Sequence, residues 1–243
     1  MNPDTIEIVR VLGVLGILGS FTIMVTDWVG WTRPMSTAGK AYDMTGVDSR
    51  WRNFHASGGM GISQPRRYWS CIVGGFAMLP CGLGFVTIYV GLLPAGAIGA
   101  AFVACTLGGI MAYGVIAHTM YGVFNDLNDS REQIEDGTPE RAVINHLYAA
   151  TLGYWVPFGL GLVAIQAVGS FVFSYIVLTQ NTAFPAWMGF INHFLLSQIC
   201  MQSKHFLPFS MSRWLGPPHM HLLTTLPLLV LGTYYTWNGV VLP

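Results

Sequence analysis

The chain has 243 residues, of which 53% are hydrophobic and only 9% charged, where a soluble domain has about a quarter charged. The formal net charge is zero, which removes the electrostatic basis for a nucleic-acid or other polyanionic partner. No polar stretch is long enough for a second core, so residues 1–243 read as a single integral membrane domain.

Six apolar stretches, at about 8–28, 69–92, 95–124, 149–178, 184–206 and 222–241, are each long enough to cross a hydrocarbon core of about 30 Å. They predict an all-α polytopic bundle of six transmembrane helices. The first starts beside Asp4, Glu7 and Arg10, reads as a retained helix rather than a leader, and shows Gly13, Gly16 and Gly19 on one face. Asp27 closes it, with Arg33 the expected partner. The connection from Trp31 to Tyr68 holds Gly58, Gly59 and Gly61, and its Trp51–His55 run suits a membrane surface.

A tight link near Leu92–Ala95 makes helices two and three an antiparallel hairpin. Helix three carries Gly108, Gly109 and Gly114, with His118 about six residues before its expected end. Residues Asn125–Asn145 follow as a polar connection with six acidic residues and two arginines. Helix four has Gly153, Gly159 and Gly161, again read as surfaces of close helix approach, and a second tight link, Thr179–Phe184, leads into helix five. There Asn192 and His193 lie near mid-bilayer. Ser197, Gln198, Gln202, Lys204 and His205 make its second half polar, which predicts that this half faces the bundle interior. The last connection ends in Pro217-Pro218-His219-Met220-His221.

Ten of the eleven Lys and Arg residues then fall in one set of loops, and only Arg10 in the other. By the positive-inside rule the rich side is cytoplasmic and both termini are on the non-cytoplasmic side. Trp28, Trp31, Trp51, Trp69 and Trp214 mark the inner boundary, Trp187 and Trp237 the outer one. The four cysteines all lie in predicted helices without a CxxC pair and read as small packing residues, not a disulfide framework.

Ionisable groups inside a membrane are costly, so each asks for a reason. Gly114, His118, Tyr121 and Asn125 share one helical face. Imidazole is the side chain whose ordinary pKa lies near neutrality, which suits His118 to general acid or base work. Asp27 would be its carboxylate partner, Tyr121 would orient a polar group, and His205 and His219 would close the site from helices five and six. A histidine metal site finds no HxxxH or HExxH spacing, and a b-type haem would need facing histidines such as His118 and His205.

Asn125-Asp126-Leu127-Asn128-Asp129 places two carboxylates at i and i+3, where they could share Mg²⁺ and through it a diphosphate. These five residues resemble the NDxxD motif of membrane prenyltransferases, which implies a cofactor-binding role for Asp126 and Asp129. No second aspartate-rich motif follows, and six helices are fewer than that fold has. A solvated helix end capped at Asp129 or Ser130 explains the same residues.

A wider likeness runs through Thr26-Asp27, the Tyr89–Pro94 run YVGLLP, Ala117-His118, and Thr182-Ala183-Phe184-Pro185-Ala186-Trp187-Met188 followed by Asn192. Together these landmarks resemble an uncharacterised bacterial family of six-helix integral membrane proteins. That family usually has arginine where this chain has Ala186, and proline where it has His193. The resemblance implies the fold more than an activity.

Two functions fit these readings. One is a small intramembrane enzyme using acid/base chemistry on a lipid or isoprenoid-like substrate from the cytoplasmic leaflet. The other is a non-enzymatic membrane subunit or lipid-binding protein of a larger complex. Membrane lipids, a hydrophobic small molecule and other membrane subunits are the expected partners. A transporter would call for interrupted helices with ionisable groups at the midplane, where only His193 is expected.

Overall fold

A computed structural model describes residues 3–38, 40, 61–214 and 221–238. All regular structure among them is helical: α1 (Pro3–Trp31), α2 (Gln64–Gly84), α3 (Val86–Leu92), α4 (Ala97–Gln133), α5 (Pro139–Thr179), α6 (His193–Ser203), α7 (Phe209–Ser212) and α8 (Leu226–Trp237), with short 3₁₀ turns and one π turn, His221–Thr225. Four stretches are long and apolar enough to cross a membrane: α1, the α2–α3 run Gln64–Ala95, α4 and α5.

Helix α1 packs along α2, α2 along α4, and α4 along α5, while α8 returns beside α1 and α3. The glycine face of α1 is what brings the first pair together. A Cβ on Gly16 would lie 2.5 Å from Gly84 Cα, and one on Gly19 would lie 2.6 Å from Cys81 N. Lipid supplies no hydrophobic drive between helices, so backbone-to-backbone contact of this kind carries the association. Gly114 packs in the same way on Met78, but Gly109, Gly153 and Gly161 face open space. In α5 the close approach is made by Gly169, against Thr106 of α4. Glycine spacing therefore predicted the contact face of α1 correctly and that of α5 wrongly. A small residue permits contact but does not supply the neighbour.

The predicted fifth and sixth crossings are broken. Phe184–Phe206 contains a 3₁₀ turn, Ala186–Phe190, and then an α6 of only 11 residues. Its buried N-terminus is satisfied from the side: Leu195 N donates to Asn192 Oδ1 (2.9 Å), and Phe194 N to Ser170 Oγ (3.1 Å). Asn192 thus acts as a helix cap within the bundle. The last helix is the π turn followed by a 12-residue α8. Of the polar half of α6, only Ser197 is fully buried; Gln202 and His205 are exposed.

Helix α4 runs to Gln133, nine residues past the expected end, so Asp126 and Asp129 lie within a helix. At 37 and 41 residues, α4 and α5 span about 55 and 60 Å, well beyond a 30 Å core. A second small core of Phe124, Tyr148 and Leu152 supports the surplus. Arg131 is sealed within it, over the Tyr148 ring, and donates to Asn145 Oδ1 (2.7 Å) and Asn128 Oδ1 (2.9 Å). The α4–α5 turn closes with Gly137 at positive φ and with Thr138 Oγ1 accepting from Arg141 N.

The four cysteines are free. Trp28, Trp69, Trp187, Trp214 and Trp237 are exposed, as belt residues should be. Arg10 binds Trp237 O (2.8 Å), at the end of the bundle opposite Arg33, Arg66 and Arg67.

Candidate functional site

Near its C-terminal end α1 buries Asp27, 1% exposed, against α2, α4 and the π turn. Its neighbours are histidines, and Arg33 lies instead over the Phe209 ring. His118 Nε2 of α4 is 3.5 Å from Asp27 Oδ1, and His221 Nε2 of the π turn is 3.7 Å from Oδ2. Neither carboxylate oxygen receives a hydrogen bond among the described residues. The cluster joins residues 27, 118 and 221, from three separate helical segments.

Gly74 of α2 is the notch that allows this. A Cβ there would lie 2.8 Å from both His118 Cε1 and Thr26 Oγ1, so any larger residue would keep the imidazole away from α1. On its other side His118 Nδ1 is 3.3 Å from the Ser70 carbonyl oxygen. A carbonyl only accepts, so Nδ1 carries a proton. His118 Nε2 then faces one Asp27 oxygen, and His221 Nε2 faces the other. The geometry is that of an enclosed carboxylate between two imidazoles.

His193 differs. Gln166 Nε2 donates to its Nδ1, and its own Nε2–H donates to Thr225 Oγ1 (2.7 Å). Both ring nitrogens are occupied, so His193 ties α5, α6 and the π turn together. Thr225 lies one turn from His221, and His193 therefore also sets where His221 stands.

Tyr121 stacks on Trp31, with centroids 4.0 Å apart, and directs its hydroxyl to Gly30 O at 3.5 Å. It seals the end of α1 beside the cluster. His205 is exposed on the 3₁₀ turn Lys204–Phe206, and no contact joins it to Asp27. His219 lies outside the described residues. Asp126 and Asp129 do share a cation, and it is a guanidinium: Arg67 Nη2 is 2.8 Å from Asp126 Oδ1 and 2.6 Å from Asp129 Oδ2. Arg67 Nη1 donates to Ile62 O (2.6 Å), so this buried side chain latches the start of α2 to α4.

An apolar groove of about 450 Å³ opens between α2 and α4, walled by Cys71, Ile72, Gly75, Val115, Thr119 and Gly122. His118 lies on α4 between the wall residues Val115 and Thr119, with its ring turned to Ser70 and Asp27. The volume is within the range of small-molecule sites.

Sequence reading missed His221, Gln166 and Thr225. Gln166 had a signal, as a lone amide in an apolar run. His221 was indistinguishable from His219 without knowing where the last helix begins.

The model of a family described as "Family of unknown function (DUF6796)" matches residues 1–214. No curated protein and no solved structure matches the chain.

Proposed function

We propose, for a chain that belongs to this family of unknown function, an acid/base centre inside the membrane that acts on a lipid or isoprenoid-like molecule. The observation that carries the reading is the buried Asp27 carboxylate between two imidazoles, with no guanidinium or ammonium at ion-pair distance among the described residues. The substrate chain lies in the groove between α2 and α4, and its polar end passes the wall residues Val115 and Thr119 toward His118. His118 and Asp27 pass one proton between them, His221 receives or returns it, and Tyr121 with Trp31 closes the end of α1. The carboxylates Asp126 and Asp129 serve the Arg67 latch rather than a Mg²⁺–diphosphate.

In this reading the bundle crosses the membrane six times, with the broken segment through α6 as the fifth crossing and α8 as the sixth. The arginine-rich loops are cytoplasmic and both termini are not. Glu135→Cys and Asn181→Cys, at opposite ends of α5, test the sidedness in a Cys105→Ser background. Labelling of Glu135→Cys from outside intact cells would reverse it.

The functional test compares lipid profiles, by mass spectrometry, of cells expressing the wild type, Asp27→Asn or His118→Ala at equal folded amounts. The expected result is a lipid species formed or consumed only with the wild type. Identical profiles for all three would end the enzymatic reading. A second reading, a non-enzymatic membrane subunit, is favoured by one observation: Asp27 is 1% exposed and neither it nor His118 lines the groove. It predicts that Asp27→Asn leaves lipids unchanged but lowers recovery of a co-purifying partner chain.

A further inference from the structure

A second site lies on the other side of α1, at the same end. The last turn of α1, the residues just after it, the first turn of α2 and the Arg213–Trp214 segment enclose a pocket of about 340 Å³. Arg33, Arg66 and Arg213 line it with Trp28 and Trp214, and among the described residues no carboxylate does.

The buried arginines Arg67, Arg131 and Arg141 show what a structural role looks like in this chain. Arg67 is held by two carboxylates, Arg141 Nε is 3.2 Å from Asp136, and Arg131 is held by two asparagines. Arg66 and Arg213 have no acidic partner among the described residues. Arg66 Nη2 donates to Val29 O (2.7 Å), and Arg213 Nη1 to Arg33 O (2.8 Å). Each bond to a main-chain carbonyl fixes the guanidinium fork without neutralising it, and Arg213 Nε is enclosed with no acceptor. Stacking of Arg213 on Trp214, 4.4 Å to the ring centroid, with Trp214 edge-on to Trp28, holds the plane of that fork. Pre-set, unneutralised guanidinium groups of this kind suit the oxygens of a phosphate.

The surroundings choose the source of the phosphate. From Trp28 the exposed side chains Val25, Phe21 and Leu18 continue along α1 away from the arginines. A headgroup in the pocket therefore places its acyl chains on an apolar face, with the two tryptophans at headgroup level. We infer that Arg66 and Arg213 form a binding site for the phosphate of an anionic phospholipid, with its chains lying along α1. The inference is independent of the acid/base proposal, because the two sites share no side chain.

The test uses the full chain in detergent, titrated with dioctanoyl phosphatidylglycerol and with dioctanoyl phosphatidylcholine, read by native mass spectrometry. Wild type should prefer the anionic lipid, and the preference should shrink as salt rises. Arg66→Gln with Arg213→Gln should weaken that binding by about tenfold or more, on the order of fivefold for each arginine removed, while Arg10→Gln leaves it unchanged. Equal binding of the two lipids by the wild type would overturn the proposal, and that comparison needs no variant. Wild-type affinity in the folded double variant would overturn it as well. If the double variant does not fold, Arg213→Lys replaces it, keeping charge but losing the fork, and should bind with intermediate affinity; unchanged affinity there would also overturn the assignment. Inorganic phosphate that displaced the lipid at equal concentration would make free phosphate the ligand and remove the lipid.

Discussion

Two groups of carboxylates stand near the same end of the bundle and are handled in opposite ways. Asp126 and Asp129, each about a third exposed, close on the buried Arg67 guanidinium and join α2 to α4. Asp27 is far more enclosed, yet among the described residues it has two imidazoles at ion-pair distance and no hydrogen bond to either oxygen. A buried ionisable group left in that state costs stability that packing does not return. The first arrangement is explained by holding helices together; the second is what the proposed acid/base role would use. The contrast separates scaffold from chemistry more sharply than burial alone.

That separation can be broken by substitution. Arg67→Ala should have the largest effect on stability. It leaves two carboxylates facing each other without a cation, at a cost of about 3 kcal/mol, toward the low end for a broken buried pair because the acids are partly solvated. Thermal unfolding in detergent should show the loss; an unchanged melting temperature would mean that the latch does not hold α2 to α4.

Gly19→Ala comes next. The new methyl would meet Cys81 N and Ala77 O at under 3 Å, where backbone cannot yield cheaply, so about 1–3 kcal/mol should be lost. Gly153→Ala has nothing within 4 Å and should be neutral or gain a few tenths of a kcal/mol from helix propensity. If both variants behaved alike, the packing assigned to the glycine face of α1 would be wrong.

Among the charged residues, the smaller stability effect is expected at Asp27. Asp27→Asn removes a charge without removing a hydrogen bond, so unfolding should shift by less than about 1 kcal/mol or toward greater stability. Any wild-type-specific lipid turnover should nevertheless disappear. A loss as large as that of Arg67→Ala would turn Asp27 into a scaffold residue and erase the contrast.

Much of the candidate site was legible. The stripe of Gly114, His118, Tyr121 and Asn125 does form the inward face of α4, and Asp27 does meet His118. The third member was not, because His205, His219 and His221 all sit in the polar run before the last helix. Which of them reaches α1 depends on a π turn whose position is set by the Thr225–His193 bond. The NDxxD pattern was only partly legible for a related reason. Its spacing is right for a shared cation, but spacing cannot reveal that Arg67, about 60 residues earlier, supplies that charge.

Hydropathy and charge are sums along the chain, so the amino-acid sequence by itself determined the membrane class, the helical content, the clustering of arginines toward one end and the packing face of α1. Only the tertiary structure decided that residues 184–206 are broken by a capped turn, that α4 and α5 extend as a paired hairpin, and which histidines and arginines meet which carboxylates. Those choices join residues tens to nearly two hundred positions apart. They are settled by which helix faces can approach within a few ångströms, and neither a local sum nor a spacing rule contains that distance.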